Sequence, residues 1–197
     1  QETYPEKQPD FTARLQKIKA AGAEAIMSNS YFADAAAQVR QMRELNLNFK
    51  LFSGTVGPGL PQFADQLGDS AEYILGFSQW EPVPDVLKHP GMKEFIAEYE
   101  KRYGEKPNYH AGGTYGALQV TEAALKQTGS FDSQKLRDAL ASIETTTVFG
   151  RYKVNEKGMN NHEGLTFQIL KGQRRIVFPE KWAETKAKLP MPEWSKR

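Results

Sequence analysis

Hydroxyl, amide and aromatic side chains follow two short apolar segments in the first third of the chain. Residues 28–32 (SNSYF) come directly after one such segment, and residues 53–58 (SGTVGP) come after the next. If both segments are parallel strands of an open α/β sheet, their polar ends share the carboxyl edge, where ligands usually bind. The sequence therefore predicts a small-molecule site at these two junctions.

Five side chains or backbone positions stand out at or near these junctions. Tyr31 is an aromatic residue with a polar tip, which suits either a pocket wall or packing beneath the following helix. Ser30 offers a hydroxyl group, while Gly54 and Thr55 offer exposed amides and one further hydroxyl. Trp80, next to a proline-rich run, leaves the same two alternatives open: a pocket wall or hinge packing.

The chemistry of known catalytic motifs is missing around these residues. Neither serine of residues 28–32 lies in a G-x-S-x-G elbow, and residues 54–59 (GTVGPG) lack the spacing of dinucleotide and P-loop sites. His89, His110 and His162 lie far apart and lack metal-ligand spacing. We therefore expect a binding site and not an enzyme, with no cofactor and no metal.

Composition narrows the class of protein. The 26 basic and 24 acidic residues among 197 give a net charge of +2, which argues against a nucleic-acid partner. No cysteine is present, so disulfides and thiolate metal sites are excluded. No apolar run approaches the roughly 20 residues that span a bilayer, so we expect no direct membrane insertion. No signal peptide or initiator methionine appears, and we expect the chain to be a fragment.

The first part of the chain alternates predicted helices and strands, which indicates a parallel α/β sheet. A helix with Phe11, Leu15 and Ile18 on its apolar face precedes a short buried strand at 25–27. The segments that follow are a helix from about residue 33, a strand at 49–52, a short helix at 61–67 and a strand at 72–77.

The pattern changes after Ser78. Residues 79–84 contain two prolines and are predicted to form a linker. Three predicted helices follow, at 91–103, at 112–127 and after a cap at Asp132 or Ser133. A β-like region closes the chain, with one strand in 145–154 and a hairpin of strands 165–170 and 175–178.

An ordered set of short segments resembles the type I periplasmic binding proteins of the leucine/isoleucine/valine-binding class. The resemblance covers nearly the whole chain. It rests on the segments Tyr4-Pro5, Asp10-Phe11, Gln38-Val39-Arg40-Gln41, Leu45-Asn46-Leu47, Tyr103-Gly104, residues 114–119 (TYGALQ), Phe149-Gly150, Lys157-Gly158 and Phe178-Pro179.

The resemblance implies a receptor with two α/β lobes of open parallel sheets flanked by helices, and a ligand cleft between the lobes. It further implies that the first half of the receptor is absent here. Residues 1–79 would then belong to lobe two, residues 80–166 would return to lobe one, and residues 167–197 would cross back to lobe two.

Carried over residue by residue, the resemblance places Tyr31 on the pocket tyrosine of the second lobe. Thr55 falls where amino-acid-binding members carry a glutamate that binds the ligand's ammonium group. Gly112 falls near an aromatic wall of some members, which leaves Tyr109 or His110 as substitutes. Because a desolvated ammonium needs a charged partner, Thr55 favours an amide, an aromatic acid or another small carboxylate over an α-amino acid.

The implied function is a periplasmic solute receptor that delivers a small polar ligand to the membrane permease of an ABC importer. The alternative is the ligand-sensing domain of a regulator or signalling receptor, because the same fold serves both roles.

Overall fold

The computed structural model describes residues 1–197. It contains six α-helices and seven β-strands, joined by turns and short 3₁₀ segments. In chain order these are α1 (Thr12–Ala20), β1 (Ala25–Ser28), α2 (Phe32–Glu44), β2 (Leu51–Gly54), α3 (Gln62–Leu67), β3 (Leu75–Ser78), α4 (Met92–Tyr103), α5 (Tyr109–Thr128), α6 (Ser133–Ser142), β4 (Thr145–Thr147), β5 (Gly150–Tyr152), β6 (Leu165–Leu170) and β7 (Gln173–Phe178).

The chain divides into two compact units. Unit 1 consists of Gln1–Ser78 and Leu165–Arg197, and unit 2 consists of Gln79–Gly164. The assignment of chain segments to the lobes of a receptor stays a prediction.

Unit 1 contains a five-stranded sheet in the order β1-β2-β3-β6-β7. The pairs β1–β2 and β2–β3 are parallel, as the alternation of strands and helices predicts. The pairs β3–β6 and β6–β7 are antiparallel, so the sheet is mixed and not wholly parallel. The turn between β6 and β7 is Lys171-Gly172, with φ values of 54° and 69° that suit a two-residue hairpin.

The core of unit 1 lies between the sheet and its helices. Phe52, Phe63 and Phe167 are almost completely buried there, and burial of each side chain stabilises the fold by roughly 1.5–3 kcal/mol. Helix α2 contributes Val39 and Met42 to this core, which confirms its predicted apolar face.

Strand β1 differs from its prediction as a buried strand. Only Ile26 and Ser28 are buried, whereas Ala25 and Met27 face solvent and Met27 is 81% exposed. The exposed and buried side chains alternate, so Ala25 and Met27 share one face of the strand, and no other part of the chain covers that face.

Unit 2 packs its helices around a small aromatic core. Met92 and Phe95 of α4 meet Trp80 and Val148 there. Helix α5 begins three residues earlier than predicted because the side chain of Asn108 accepts hydrogen bonds from the backbone N–H groups of His110 and Ala111. Residues 145–154 form the β4–β5 hairpin instead of a single strand.

None of the helices combines the length and the apolar character that a membrane crossing requires.

Candidate functional site

The carboxyl ends of β1 and β2 bring the two predicted junctions side by side. Ser28 pairs with Gly54 in the parallel register. The backbone N–H of Thr55 donates to the carbonyl of Ser28 at 3.1 Å, and the N–H of Gly57 donates to the carbonyl of Ser30 at 3.4 Å. Ser30, Tyr31, Gly54 and Thr55 therefore lie at one edge of the unit 1 sheet.

A set of hydrogen-bonded polar side chains underlies this edge, which we call the Gln38 network: the buried Ser28, Ser30 and Gln38 and the half-buried Tyr4. The Tyr4 and Ser30 hydroxyls lie 2.6 Å apart, and the Ser28 hydroxyl donates to Gln38 Oε1 at 2.7 Å. Gln38 Nε2 donates to Ser30 Oγ at 3.1 Å and to Tyr4 Oη at 3.3 Å. Ser28 and Ser30 also contact each other through their hydroxyls.

The Gln38 network changes the role of Ser30. Its side chain is only 4% exposed and its hydroxyl is already hydrogen-bonded, so it supports the junction and offers little to a ligand. Sequence reasoning missed Tyr4 and Gln38 as members of the site. The signal for Gln38 is its helical spacing of three and four residues from the buried Ala35 and Met42, which places an amide on an apolar face.

Tyr31 has the opposite environment. It precedes the first residue of α2 in extended conformation, its carbonyl accepts from the N–H of Ala35 at 3.0 Å, and its side chain is 63% exposed. The Tyr31 side chain therefore does not pack beneath the helix, which was one of its two alternatives. Its phenol is free to contact a ligand.

The second junction is closely packed. A Cβ added at Gly54 would lie 2.7 Å from Cγ of Pro58, and one added at Gly57 would lie 2.5 Å from Cβ of Ala35. Only glycine allows this approach, so the loop is held against α2. Thr55 is half-buried, and its hydroxyl makes no hydrogen bond within the chain.

A groove of about 700 Å³ runs along the outer side of β1 in unit 1. Residues of the amino-terminal stretch, α1 and β1 line it, together with Tyr31, Asp34 and Gln38. Asp34, in the first turn of α2, is 4% exposed.

The remaining predicted site residues lie in unit 2. Trp80 is 2% exposed, and its indole N–H donates to the carbonyl of Val148 at 2.9 Å, so the ring belongs to the core of this unit. Gly112 also packs closely against this ring, since a Cβ added at Gly112 would lie 3.0 Å from Cδ2 of Trp80. Almost none of the Trp80 surface remains for a ligand.

Tyr109 and His110 occupy the first turn of α5. Their rings lie 4.1 Å apart between centroids. Tyr109 is half-buried, and desolvation by this burial raises the pKa of its phenol. His110 is exposed.

Groups for metal binding or nucleophilic catalysis do not assemble. No three acidic or histidine side chains cluster in a way that could bind a metal ion. The hydroxyls of Ser28 and Ser30 bond to each other and to the rest of the Gln38 network, and no histidine contacts them. What the edge offers is hydrogen bonding and ring contact.

The amino-acid sequence of this chain is similar to those of several known proteins. The chain is 26% identical over 200 residues to the Leu/Ile/Val-binding protein homolog 7 of Brucella suis biovar 1 (strain 1330), an alignment that covers 96% of this chain and 49% of that protein. The chain thus spans about half the length of the curated relatives it matches. These relatives and the structural neighbours are solute-binding proteins and not enzymes.

Solved structures show the same fold. The branched-chain amino acid transporter substrate binding protein LivJ from Streptococcus pneumoniae, in complex with isoleucine, matches with a TM-score of 0.76 and 23% identity, covering 90% of this chain and 51% of that one. An ABC transporter solute binding protein from R. palustris, in complex with benzoate, matches with a TM-score of 0.69 and 17% identity, covering 87% and 47%. Both support the type I periplasmic binding fold.

The sequence also matches a protein family. It carries the description "Periplasmic binding protein" and extends over residues 1–174, which is most of the sequence. This chain belongs to the periplasmic binding protein family.

Proposed function

We propose that this chain is part of a periplasmic receptor that captures a small polar solute for the membrane permease of an ABC importer. Membership of the periplasmic binding protein family carries the proposal. The exposed phenol of Tyr31 and the free hydroxyl of Thr55, at the carboxyl edge of the unit 1 sheet, are the groups that would contact the solute.

The class of solute follows from the charges at this edge. Neither Tyr31 nor Thr55 is charged at neutral pH, and the Ser30 hydroxyl is already bonded. A desolvated ammonium would find no anion at the Tyr31 and Thr55 positions, so an amide, an aromatic acid or another small carboxylate fits better than an α-amino acid. The structural neighbours include a complex with isoleucine and a complex with benzoate, so the fold accepts both kinds of solute.

The test is a thermal-shift screen of the full-length receptor that contains this chain, against amino acids, amides and aromatic acids. A solute at 100 times its Kd stabilises the folded state by about 2.7 kcal/mol, which gives a clear rise in Tm. The expected result is stabilisation by one of these classes. Absence of stabilisation across all of them would overturn the proposal.

Tyr31→Ala tests the position of the site. Because Tyr31 is 63% exposed, its loss should change the free energy of unfolding by less than about 1 kcal/mol while weakening solute binding at least roughly tenfold. Tyr103→Ala, in which a 65% exposed tyrosine is removed from unit 2, is the matched control and should leave binding unchanged. If Tyr31→Ala unfolds the receptor, or if both variants bind equally well, the site lies elsewhere.

A further inference from the structure

The loop that follows β2 packs against the unit 1 sheet. This loop, which we call the Thr55 loop, consists of residues 55–60 (TVGPGL) and begins directly after Gly54. A Cβ added at Gly54 would lie 2.7 Å from Cγ of Pro58, and one added at Gly76 of β3 would lie 2.8 Å from Cβ of Pro58. Pro58 is almost completely buried. Its ring therefore fills the space that two glycines on neighbouring strands leave open.

The Thr55 loop is hydrogen-bonded at both of its ends. The backbone N–H groups of Thr55 and Gly57 bind its first half to the β1 junction, and the N–H of Gly59 donates to the carbonyl of Val56 at 3.1 Å, which closes a turn. The carbonyl of Gly59 then accepts a hydrogen bond at 2.7 Å from Nη1 of Arg174, a residue of β7 that lies 115 positions further along the chain. Arg174 thus fixes the end of the loop that lies away from β1.

The sheet holds the Arg174 side chain in place. Arg174 is half-buried, and its guanidinium carbon lies 5.5 Å from the centre of the Phe167 ring of β6. A guanidinium over an aromatic face is attracted by the ring. Phe167 is 1% exposed and, like Pro58, packs against Gly76. The donor to Gly59 is therefore charged and rests on a ring that packs beside the loop, which makes this hydrogen bond stronger than one between neutral groups.

We propose that Arg174 is a positioning residue of the solute site. Its hydrogen bond to Gly59 keeps the Thr55 loop against the sheet, so the Thr55 hydroxyl is oriented before the solute arrives. A group that is already ordered loses less conformational entropy on binding and therefore binds more tightly. Arg174 lies three strands from β2 in the sheet order and acts through the loop. The proposal rests on the solute contact proposed for Thr55 above.

Hydrogen exchange in the full-length receptor that contains this chain tests the hold on the loop. Arg174→Met removes the donor and keeps an apolar side chain over Phe167. The amides of Gly57 and Gly59 should then exchange at least about tenfold faster. Arg175→Met is the matched control, since Arg175 is an exposed residue of the same strand, and it should leave their exchange unchanged. Equal exchange in Arg174→Met and Arg175→Met would overturn the proposal.

A double-mutant cycle tests whether the effect reaches the solute through Thr55. The probe is whichever of isoleucine, benzoate and acetamide raises the Tm of the full-length receptor most. Arg174→Met and Thr55→Val should each weaken binding of this probe roughly threefold to tenfold. In the Thr55→Val background, Arg174→Met should change the Kd by less than about twofold. Arg174→Lys keeps a charged donor and should bind the probe more tightly than Arg174→Met.

A purely structural role for Arg174 would give a different result. Arg174→Met would then raise the Kd by the same factor with Thr55 present and in the Thr55→Val background, which would overturn the proposal. If Thr55→Val alone leaves the Kd unchanged, the solute does not contact Thr55 and the proposal fails as well. Failure of the proposed function is distinguishable from both outcomes, because no solute of the thermal-shift screen would then raise the Tm of the receptor.

Discussion

Substitution of Gln38 by leucine should destabilise unit 1 although Gln38 lies outside the surface that would contact a solute. Gln38 is 5% exposed and makes three hydrogen bonds, to Ser28, Ser30 and Tyr4. Leucine has a similar size, so the change removes the amide without leaving a large cavity. The effect therefore reports the hydrogen bonds of the Gln38 network.

The magnitude follows from what remains after the substitution. The bond of 2.6 Å between the Tyr4 and Ser30 hydroxyls survives, so neither group becomes fully unpaired. The Ser28 hydroxyl loses the acceptor at 2.7 Å and keeps only its contact with Ser30. Three net hydrogen bonds at about 1 kcal/mol each, partly offset by removal of the buried amide, give a loss of about 2 kcal/mol. For a chain of this size the Tm should fall by about 4–8 °C.

The assay is urea unfolding, with Arg40→Leu as the control on an exposed position of the same helix. Gln38→Glu adds a pH dependence, since burial disfavours the charged carboxylate and raises the pKa of such a group. Its folded-state pKa would exceed the unfolded one, so Gln38→Glu should be more destabilising at pH 8 than at pH 5. A Gln38→Leu loss within about 0.5 kcal/mol of the Arg40→Leu value would refute the reasoning.

Three further predictions concern other parts of the chain. Gly76→Ala places a methyl group 2.2 Å from Cζ of Phe167 and should cost roughly 1–3 kcal/mol in urea unfolding, which Phe167→Leu in the same chain should partly restore. A hydrogen bond from Lys153 is the main cause that lowers the pKa of the Glu144 carboxyl below 4.5. The ionised Glu144 therefore stabilises the folded chain above pH 4.5, and this stabilisation is lost as the pH falls through the lower pKa of the folded state. An NMR titration should show this midpoint, and Lys153→Ala should raise it. Trp80→Phe should destabilise the chain by at least about 1 kcal/mol, because it removes the indole hydrogen bond and leaves a cavity in the core of unit 2, and it should leave solute binding unchanged. Weaker solute binding at unchanged stability would instead indicate that the ring contacts the solute.

Local patterns in the sequence were sufficient for the helices and for one hairpin. Asp132 caps α6 through a hydrogen bond from the N–H of Lys135, as its side chain predicts. The Lys171-Gly172 turn likewise connects two strands that were both predicted. These features depend on residues within a few positions of one another, which is why single-sequence reasoning finds them.

The missed features depend on distant parts of the chain. The exposure of Met27 could not be predicted, because an apolar residue in a strand is buried only if a neighbouring strand or helix covers it. The Gln38 network joins Tyr4 to Ser30 and Gln38 across 26 and 34 residues of sequence. Spacing alone gives no indication of a contact over such separations, so the sequence predicts Ser30 as a ligand contact without its hydrogen bonds to Tyr4 and Gln38.

The structure also sharpens the argument about the solute. With Ser30 bonded to Tyr4 and Trp80 buried in unit 2, the groups left free at the carboxyl edge are the phenol of Tyr31 and the hydroxyl of Thr55. Both are neutral, so they can orient a solute through a ring contact and a hydrogen bond, but they cannot neutralise its charge. We therefore expect the charged group of the solute to be bound by residues of the receptor that this chain does not span. The 197-residue chain should then bind its solute with a Kd weaker than micromolar. Isothermal titration calorimetry of the chain and of the full-length receptor would compare the two Kd values. A Kd for the chain equal to that of the receptor would show that residues of this chain bind the charged group.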